Sequence, residues 1–171
     1  MPPRWRARGL PFRRALLAVL VFGGLRISEA LQLRWRHVDL ALGRLYVEAS
    51  KTDAGVRVVD LLPVLRDELA SHRARARTTR RDEYVFVSER GGPLRDSNVR
   101  RRVLAPARDR ADASLERRGL APMPERLGCH SLRHTFASLL VVVGESPAYT
   151  MAQVGHSSPT FTLAVYSRRF R

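Results

Sequence analysis

The sequence predicts an α+β fold, a helix-rich single domain carrying one small three-stranded antiparallel sheet. Three observations lead there. The chain has 171 residues, enough for one domain with a sizeable core and little more. Apolar residues recur at helical spacing over most of it, bounded by Gly and Pro stops. The stretch 35–62 alternates instead. There Val38, Leu40, Leu45, Val47, Val56, Val58 and Leu61 are punctuated by Leu42-Gly43 and by Thr52-Asp53-Ala54-Gly55, the pattern of a three-stranded meander with two turns.

Taken in order, residues 11–22 read as a buried helix closed by Gly23-Gly24. Ser28 then reads as the N-cap of a short helix carrying Glu29, Ala30, Leu31 and Leu33. After the meander, with Lys51 at the mouth of its second turn, Pro63 opens a helix to about Arg75. Residues 73–81 form a basic, exposed connection, 84–87 a short strand, and Gly91-Gly92-Pro93 a turn. A helix capped at Asp96 or Ser97 runs through Arg100, Arg101 and Arg102 and is interrupted near Pro106. Residues 115–127, with Gly119, Pro122 and Pro124, read as a loop. A helix from Ser131 to about Val143 stops at Gly144, and short helices follow around 147–154 and 159–166. There is no internal repeat and no low-complexity tract.

Hydrophobic residues at 44% and charged residues at 27% fit an ordinary globular protein. The single cysteine, Cys129, excludes an internal disulfide and a multi-cysteine metal site. The arginine-rich start followed by the apolar run 15–22 imitates a secretory signal, but the run is short, lacks a convincing cleavage site and cannot span a bilayer. Lys+Arg at 31 against Asp+Glu at 16 leaves a net charge of +15, which points to a polyanionic partner, nucleic acid first. All but one of those basic residues are arginine. The exception, Lys51, stands out against a skew that exchanges Lys for Arg wherever either serves.

Three segments separate from the apolar periodicity. The first is Gly24-Leu25-Arg26-Ile27-Ser28-Glu29-Ala30-Leu31, an arginine at a helix junction with a carboxylate three residues on. The second is His130-Ser131-Leu132-Arg133-His134-Thr135, where His130 and Arg133 share a helix face. The third is Gly155-His156-Ser157-Ser158, followed ten residues later by Tyr166. Together they resemble the tyrosine recombinases, the phage-integrase family, which requires an Arg motif, a lysine in a β-turn, H-x-x-R-H, G-H and Tyr in that order. The resemblance covers about residues 11–167 and implies a tyrosine recombinase catalytic-domain type of fold. It also implies DNA cleavage and rejoining through a 3′-phosphotyrosyl intermediate, with Arg26, Lys51, His130, Arg133, His156 and Tyr166 as the catalytic set. Lys51 stands where the family keeps its catalytic lysine.

The chemistry of these residue types agrees with that. Tyr166 is a nucleophile with a pKa near 10, so only about one molecule in a thousand is phenolate at neutral pH, a handicap of roughly 4 kcal/mol. Clustered cations are the remedy. Arg26 and Arg133 can each hold non-bridging phosphate oxygens as bidentate forks, His156 can donate to the same phosphate, and His130 is placed to take the tyrosine proton or stabilise the developing charge. Lys51 is expected to protonate the departing 5′-oxygen, which a guanidinium does poorly. Glu29 orients Arg26, and His134 is read as structural.

No cofactor is expected. Lys51-Thr52 follows Glu48-Ala49-Ser50 rather than a glycine-rich phosphate loop, and the acids are scattered instead of clustered for two metals. The expected partners are double-stranded DNA, approached by Arg100 and Arg101, and further recombinase subunits assembled on it, with no membrane and a cytoplasmic, nucleoid-associated location. Relatives by this resemblance usually carry an N-terminal clamp domain and a longer tail after the tyrosine. Residues 1–171 therefore read as a catalytic domain with the N-terminal core-binding domain absent. Two alternatives remain at this point: a non-catalytic DNA-binding module or relic descended from a recombinase, and a type IB topoisomerase-like enzyme that nicks without synapsis.

Overall fold

A computed structural model describes residues 12–48, 56–88 and 91–155. Helix α1 (Arg13–Phe22) buries Ala15, Leu16, Ala18, Val19 and Leu20 between α3 (Pro63–Arg73) and α6 (Cys129–Val142). On α3 the buried residues Leu65, Leu69 and His72 recur at i, i+4 and i+7, the spacing of one helix face. On α6 the buried stripe is Cys129, Leu132, Arg133, Phe136, Ala137, Leu140 and Val141. A guanidinium thus occupies a position that the periodicity assigns to the core.

The sheet is an antiparallel meander in the order β1-β2-β3, from β1 (Val38–Asp39), β2 (Arg44–Val47) and β3 (Arg57–Asp60). Its register pairs Leu45 with Val59 and Val47 with Arg57. Val59 and Leu61 face the core, whereas Val56 and Val58 are exposed. The alternation in this strand therefore runs in the opposite phase to the one its valines at 56 and 58 suggest. Since side chains alternate with period two, that phase turns Arg57 inward.

Several local expectations are corrected. Helix α2 (Ile27–Gln32) is capped at Arg26 rather than Ser28, because the Glu29 carboxylate accepts the Arg26 backbone N–H at 2.8 Å and draws the helix start back to Ile27. Residues 84–87 make isolated bridges, Arg34 to Tyr84 and Val87 to Pro93, and no strand. The backbone they meet turns into a 3₁₀ helix at Trp35, so the ladder cannot lengthen.

Pro106 does not interrupt its helix. Helix α4 (Asp96–Val99) passes through a π-helical stretch at Arg100–Leu104 into α5 (Ala105–Glu116). The wider turn, in which the Ala105 N–H reaches Arg100 O, accommodates a proline that offers no N–H and would crowd a tighter turn. Helix α6 begins at Cys129, two residues earlier than its sequence pattern suggests. Helix α7 (Pro147–Val154) starts at Ser146, whose hydroxyl accepts the Tyr149 N–H, and closes at Gly155 in the left-handed conformation, φ +62°. The helix expected around 159–166 lies outside the described residues. No helix among the described residues is long and apolar enough to cross a membrane.

Candidate functional site

The site forms where the turn between α1 and α2 meets β3, α6 and the end of α7. Gly24 makes the turn possible. Its φ is +59°, and a Cβ there would overlap the Phe136 ring. Its carbonyl accepts Arg133 Nη1 at 2.5 Å, so the residue that permits the turn also anchors the arginine from α6. Two residues on, Arg26 points its guanidinium across the junction, donating from Nη1 to Glu29 Oε1 (2.7 Å) and from Nη2 to Gly155 O (3.1 Å).

Glu29 is the buried hub of this arrangement. Its two oxygens accept four hydrogen bonds: from the Arg26 backbone and side chain, and from both Nη atoms of Arg57 at 3.2 and 2.9 Å. That fills the acceptor capacity of a carboxylate. The Arg57 and Glu29 side chains are only 5% and 3% exposed. Burial raises the Glu29 pKa, but the hydrogen bonds and charge of Arg57, and then the hydrogen bonds of Arg26, outweigh it and leave the group below its ordinary value. The carboxylate is ionised under all ordinary conditions.

Arg133 is 1% exposed. Its Nε and Nη2 have no hydrogen-bond partner among the described residues. Burial, followed by repulsion from Arg26 and Arg57, lowers its pKa to about 9. It is still a cation at neutral pH, but one held with unused donors in a region of positive potential. Three guanidinium groups surround a single carboxylate, an arrangement suited to a further anion.

Of the residues singled out from sequence, Arg26, Glu29 and Arg133 converge here. His130 stands apart. It is exposed on the first turn of α6 while Arg133 is buried, and its ring meets that of His134 edge-on with centroids 4.2 Å apart. The His134 pKa is lowered, first by burial and then by the charges of His130 and Arg133. Arg100 and Arg101 are exposed, and Arg100 forms a two-pronged pair with Asp96 at 3.0 Å for each bond. Lys51, His156 and Tyr166 lie outside the described residues.

Sequence reasoning missed Arg57. The signal was present: Leu61 fixes the inward phase of the strand, and counting back by twos reaches Val59 and then Arg57. Also missed was Gln153, whose carbonyl accepts Arg57 Nε at 2.8 Å and whose amide bonds to Asp60 through both its oxygen and its nitrogen.

Solved structures share this architecture. The chain aligns with the Tn1549 transposon integrase at a TM-score of 0.71, covering 97% of this chain and 61% of that one at 19% identity. It aligns with the XerA recombinase at 0.70, covering 92% and 53% at 25% identity. The helix-rich domain with a three-stranded antiparallel sheet is thus that of tyrosine recombinase catalytic domains. The chain belongs to the phage integrase family, whose pattern matches residues 11–171. Among curated relatives it is 30% identical over 152 residues to tyrosine recombinase XerC of Agrobacterium fabrum, covering 88% of this chain and 44% of that protein. It is 29% identical over 157 residues to XerC of Bacillus pumilus, covering 87% and 47%, and 26% identical over 170 residues to prophage integrase IntR of Escherichia coli, covering 85% and 40%. The chain spans less than half the length of these relatives.

Proposed function

We propose that this chain is the catalytic part of a site-specific recombinase, cleaving and rejoining DNA through a 3′-phosphotyrosyl bond to Tyr166. The observation that carries the reading is the buried Arg133, held by Gly24 O with two donors unused, beside Arg26, which is held by Glu29 and Gly155 O. A phosphodiester carries one negative charge, and the five-coordinate transition state of its displacement carries a second. Preorganised guanidinium donors stabilise the transition state more than the ground state, which is what lowers a barrier. Membership of the phage integrase family, and the DNA-bound state of the related Tn1549 integrase, support the same substrate.

In this reading Arg26 and Arg133 hold the non-bridging oxygens, and Tyr166 attacks phosphorus. Lys51 delivers a proton to the leaving 5′-oxygen. His130 and His156 assist at the tyrosine and at the phosphate. The phosphotyrosyl bond conserves the energy of the broken diester, so rejoining needs no external energy source. Arg100 and Arg101, exposed on the π-helical stretch, contact the duplex backbone. Strand exchange between two duplexes requires further subunits of this or a related chain.

The test is a nicked duplex that loses its 5′-terminal fragment after cleavage and so traps the covalent intermediate. The expected result is an adduct mapped to Tyr166 and lost in Tyr166→Phe. An adduct that persists in Tyr166→Phe removes the assignment. Salt-sensitive DNA binding with no adduct identifies a non-catalytic binding module.

A further inference from the structure

The Arg57 guanidinium uses all three of its nitrogens at the junction. Both Nη atoms meet the two oxygens of Glu29 in a parallel fork, and Nε donates to Gln153 O near the C-terminal end of α7. Arg26 reaches the same two elements, bonding to Glu29 and to Gly155 O. The two arginines therefore share one carboxylate and the carbonyls at one helix end, where cations are favoured. A second set of contacts fixes the strand that carries Arg57. Asp60 at its end accepts the Tyr149 hydroxyl at 2.9 Å and Gln153 Nε2 at 3.2 Å. Its backbone N–H donates to Gln153 Oε1 at 2.9 Å. Burial and the Asp60 carboxylate push the Tyr149 pKa up to about 12, so that hydroxyl stays a donor.

We propose that Arg57 is a positioning residue. Through Glu29 and Gln153 it fixes the Arg26 guanidinium relative to the end of α7. This rests on the reading of Arg26 as a phosphate-binding group. The charged groups facing Glu29 are Arg26 from its own turn, Arg57 from β3 and Arg133 from α6. Without Arg57 the buried carboxylate keeps Arg26 as its sole hydrogen-bonding partner among the described residues and rises in pKa. On protonation it releases Arg26 as well.

The experiment uses the full chain with Arg57→Met, Arg57→Lys, Glu29→Gln and the double variant Arg57→Met/Glu29→Gln. Single-turnover adduct formation on the nicked duplex at saturating DNA is expected to fall roughly 10²-fold in Arg57→Met, the effect of misplacing a catalytic group. DNA affinity should change little, because Arg57 presents no exposed charge to phosphate. Arg57→Lys should recover part of the rate, since it keeps the charge and loses the fork. The Arg57→Met rate should decline toward acid pH, and this limb should vanish in the double variant, whose loss is no larger than that of Arg57→Met alone. A wild-type rate in Arg57→Met, or single-variant losses that multiply in the double variant, would overturn the proposal.

A second readout is independent of catalysis. Nitrogen-15 NMR of the Arg26 side chain should show a rigid guanidinium in wild type and a more mobile one in Arg57→Met, increasingly so toward acid pH. If the wild-type chain forms no adduct, the functional reading fails and this measurement alone decides the positioning role. Identical Arg26 dynamics in the two proteins would refute it.

Discussion

Arginine does two different jobs in two regions of this molecule. At the junction of α2, β3, α6 and α7, Arg57 and Arg133 are buried, hold backbone carbonyls and crowd around one carboxylate. Along α4, the π-helical stretch and α5, arginines stand in solvent; no residue of α5 is buried, and the Arg100–Asp96 pair is 62% and 42% exposed. The buried set loses hydration, so each guanidinium needs fixed partners or remains an unsatisfied cation. Exposed pairs are screened and contribute little to stability. Composition alone makes all these residues look alike. Their surroundings divide them into a preorganised, buried cluster and a solvated, adaptable surface.

The largest effect expected from breaking this contrast is at Arg133. Arg133→Met keeps volume and removes a buried charge, so adduct formation should fall about 10³-fold, as for loss of a preorganised donor at a developing charge. Stability should be kept or increased, because well-packed apolar replacements of buried charges are often neutral or stabilising. Adduct assays and thermal melts on one preparation check both. A large fall in melting temperature alongside the lost activity would show that Arg133 holds the fold and not only the site.

Next in size is Gly24→Ala. The substitution places a Cβ against Phe136 at a backbone angle that L-residues rarely adopt, and it disturbs the carbonyl that holds Arg133. The expected destabilisation is about 3 kcal/mol, from backbone strain together with overpacking. Denaturant unfolding measures it. By contrast, Gly43→Ala carries the angular strain without the clash, since nothing lies within 4 Å of the place its new methyl group would take, and it should cost less.

How much of this was legible in the sequence depends on whether local pattern or long-range burial decides the outcome. The meander and the helices from Arg13 and Pro63 follow from alternation, helical period and punctuation, and they appear nearly as expected. The first helical turn at Arg26 was misread because Ser28 satisfies a local rule. A buried carboxylate three residues beyond Arg26 supplies a stronger one. Pro106 was misread because a proline inside a helical pattern ordinarily breaks it, whereas the π-helical widening is a cooperative property of five residues. Arg57 was overlooked because its strand offers two apolar phases, and pairing with β2 and packing on Glu29 choose between them. His130 and Arg133 share sequence spacing but not environment. Helical period places them near one another, while only the Gly24 turn draws Arg133 inward.

On the exposed side the expected effect is smaller. Arg101→Ala should leave stability within about 0.5 kcal/mol. It should weaken binding to duplexes of any sequence and reduce the slope of log affinity against log salt by about one, the signature of one phosphate contact. Titrations at several salt concentrations on two unrelated duplexes test this. Weakening confined to one sequence would assign Arg101 to base reading instead, and would bring it closer in character to the preorganised arginines of the junction.

The smallest expected effect lies away from both regions, at His72, and it sharpens the comparison by showing a buried base without a counter-ion. Its ring stacks on Phe86 with centroids 5.5 Å apart, and Nε2 lies 2.7 Å from the Val85 carbonyl oxygen. Nδ1 has no hydrogen-bond partner among the described residues. The neutral ring therefore carries its proton on Nε2 and donates it to Val85 O. A second proton would place a buried N–H on Nδ1 with no acceptor. Burial lowers the His72 pKa below its ordinary 6.5, an effect that the Val85 contact offsets in part and the Arg75 charge reinforces. The unfolded chain then binds a proton more readily than the folded one. The His72 contribution is complete above about pH 6.5 and is lost as pH falls through the lowered folded value. The Glu29 contribution, whose folded pKa lies below 4.5, is lost only in more acidic solution, so the two windows separate. His72→Gln retains an amide donor for Val85 O and does not titrate. Its melting temperature should decline less than that of wild type between pH 7 and about 5. Parallel curves for the two proteins over that interval would mean that the ring does not take up its second proton there.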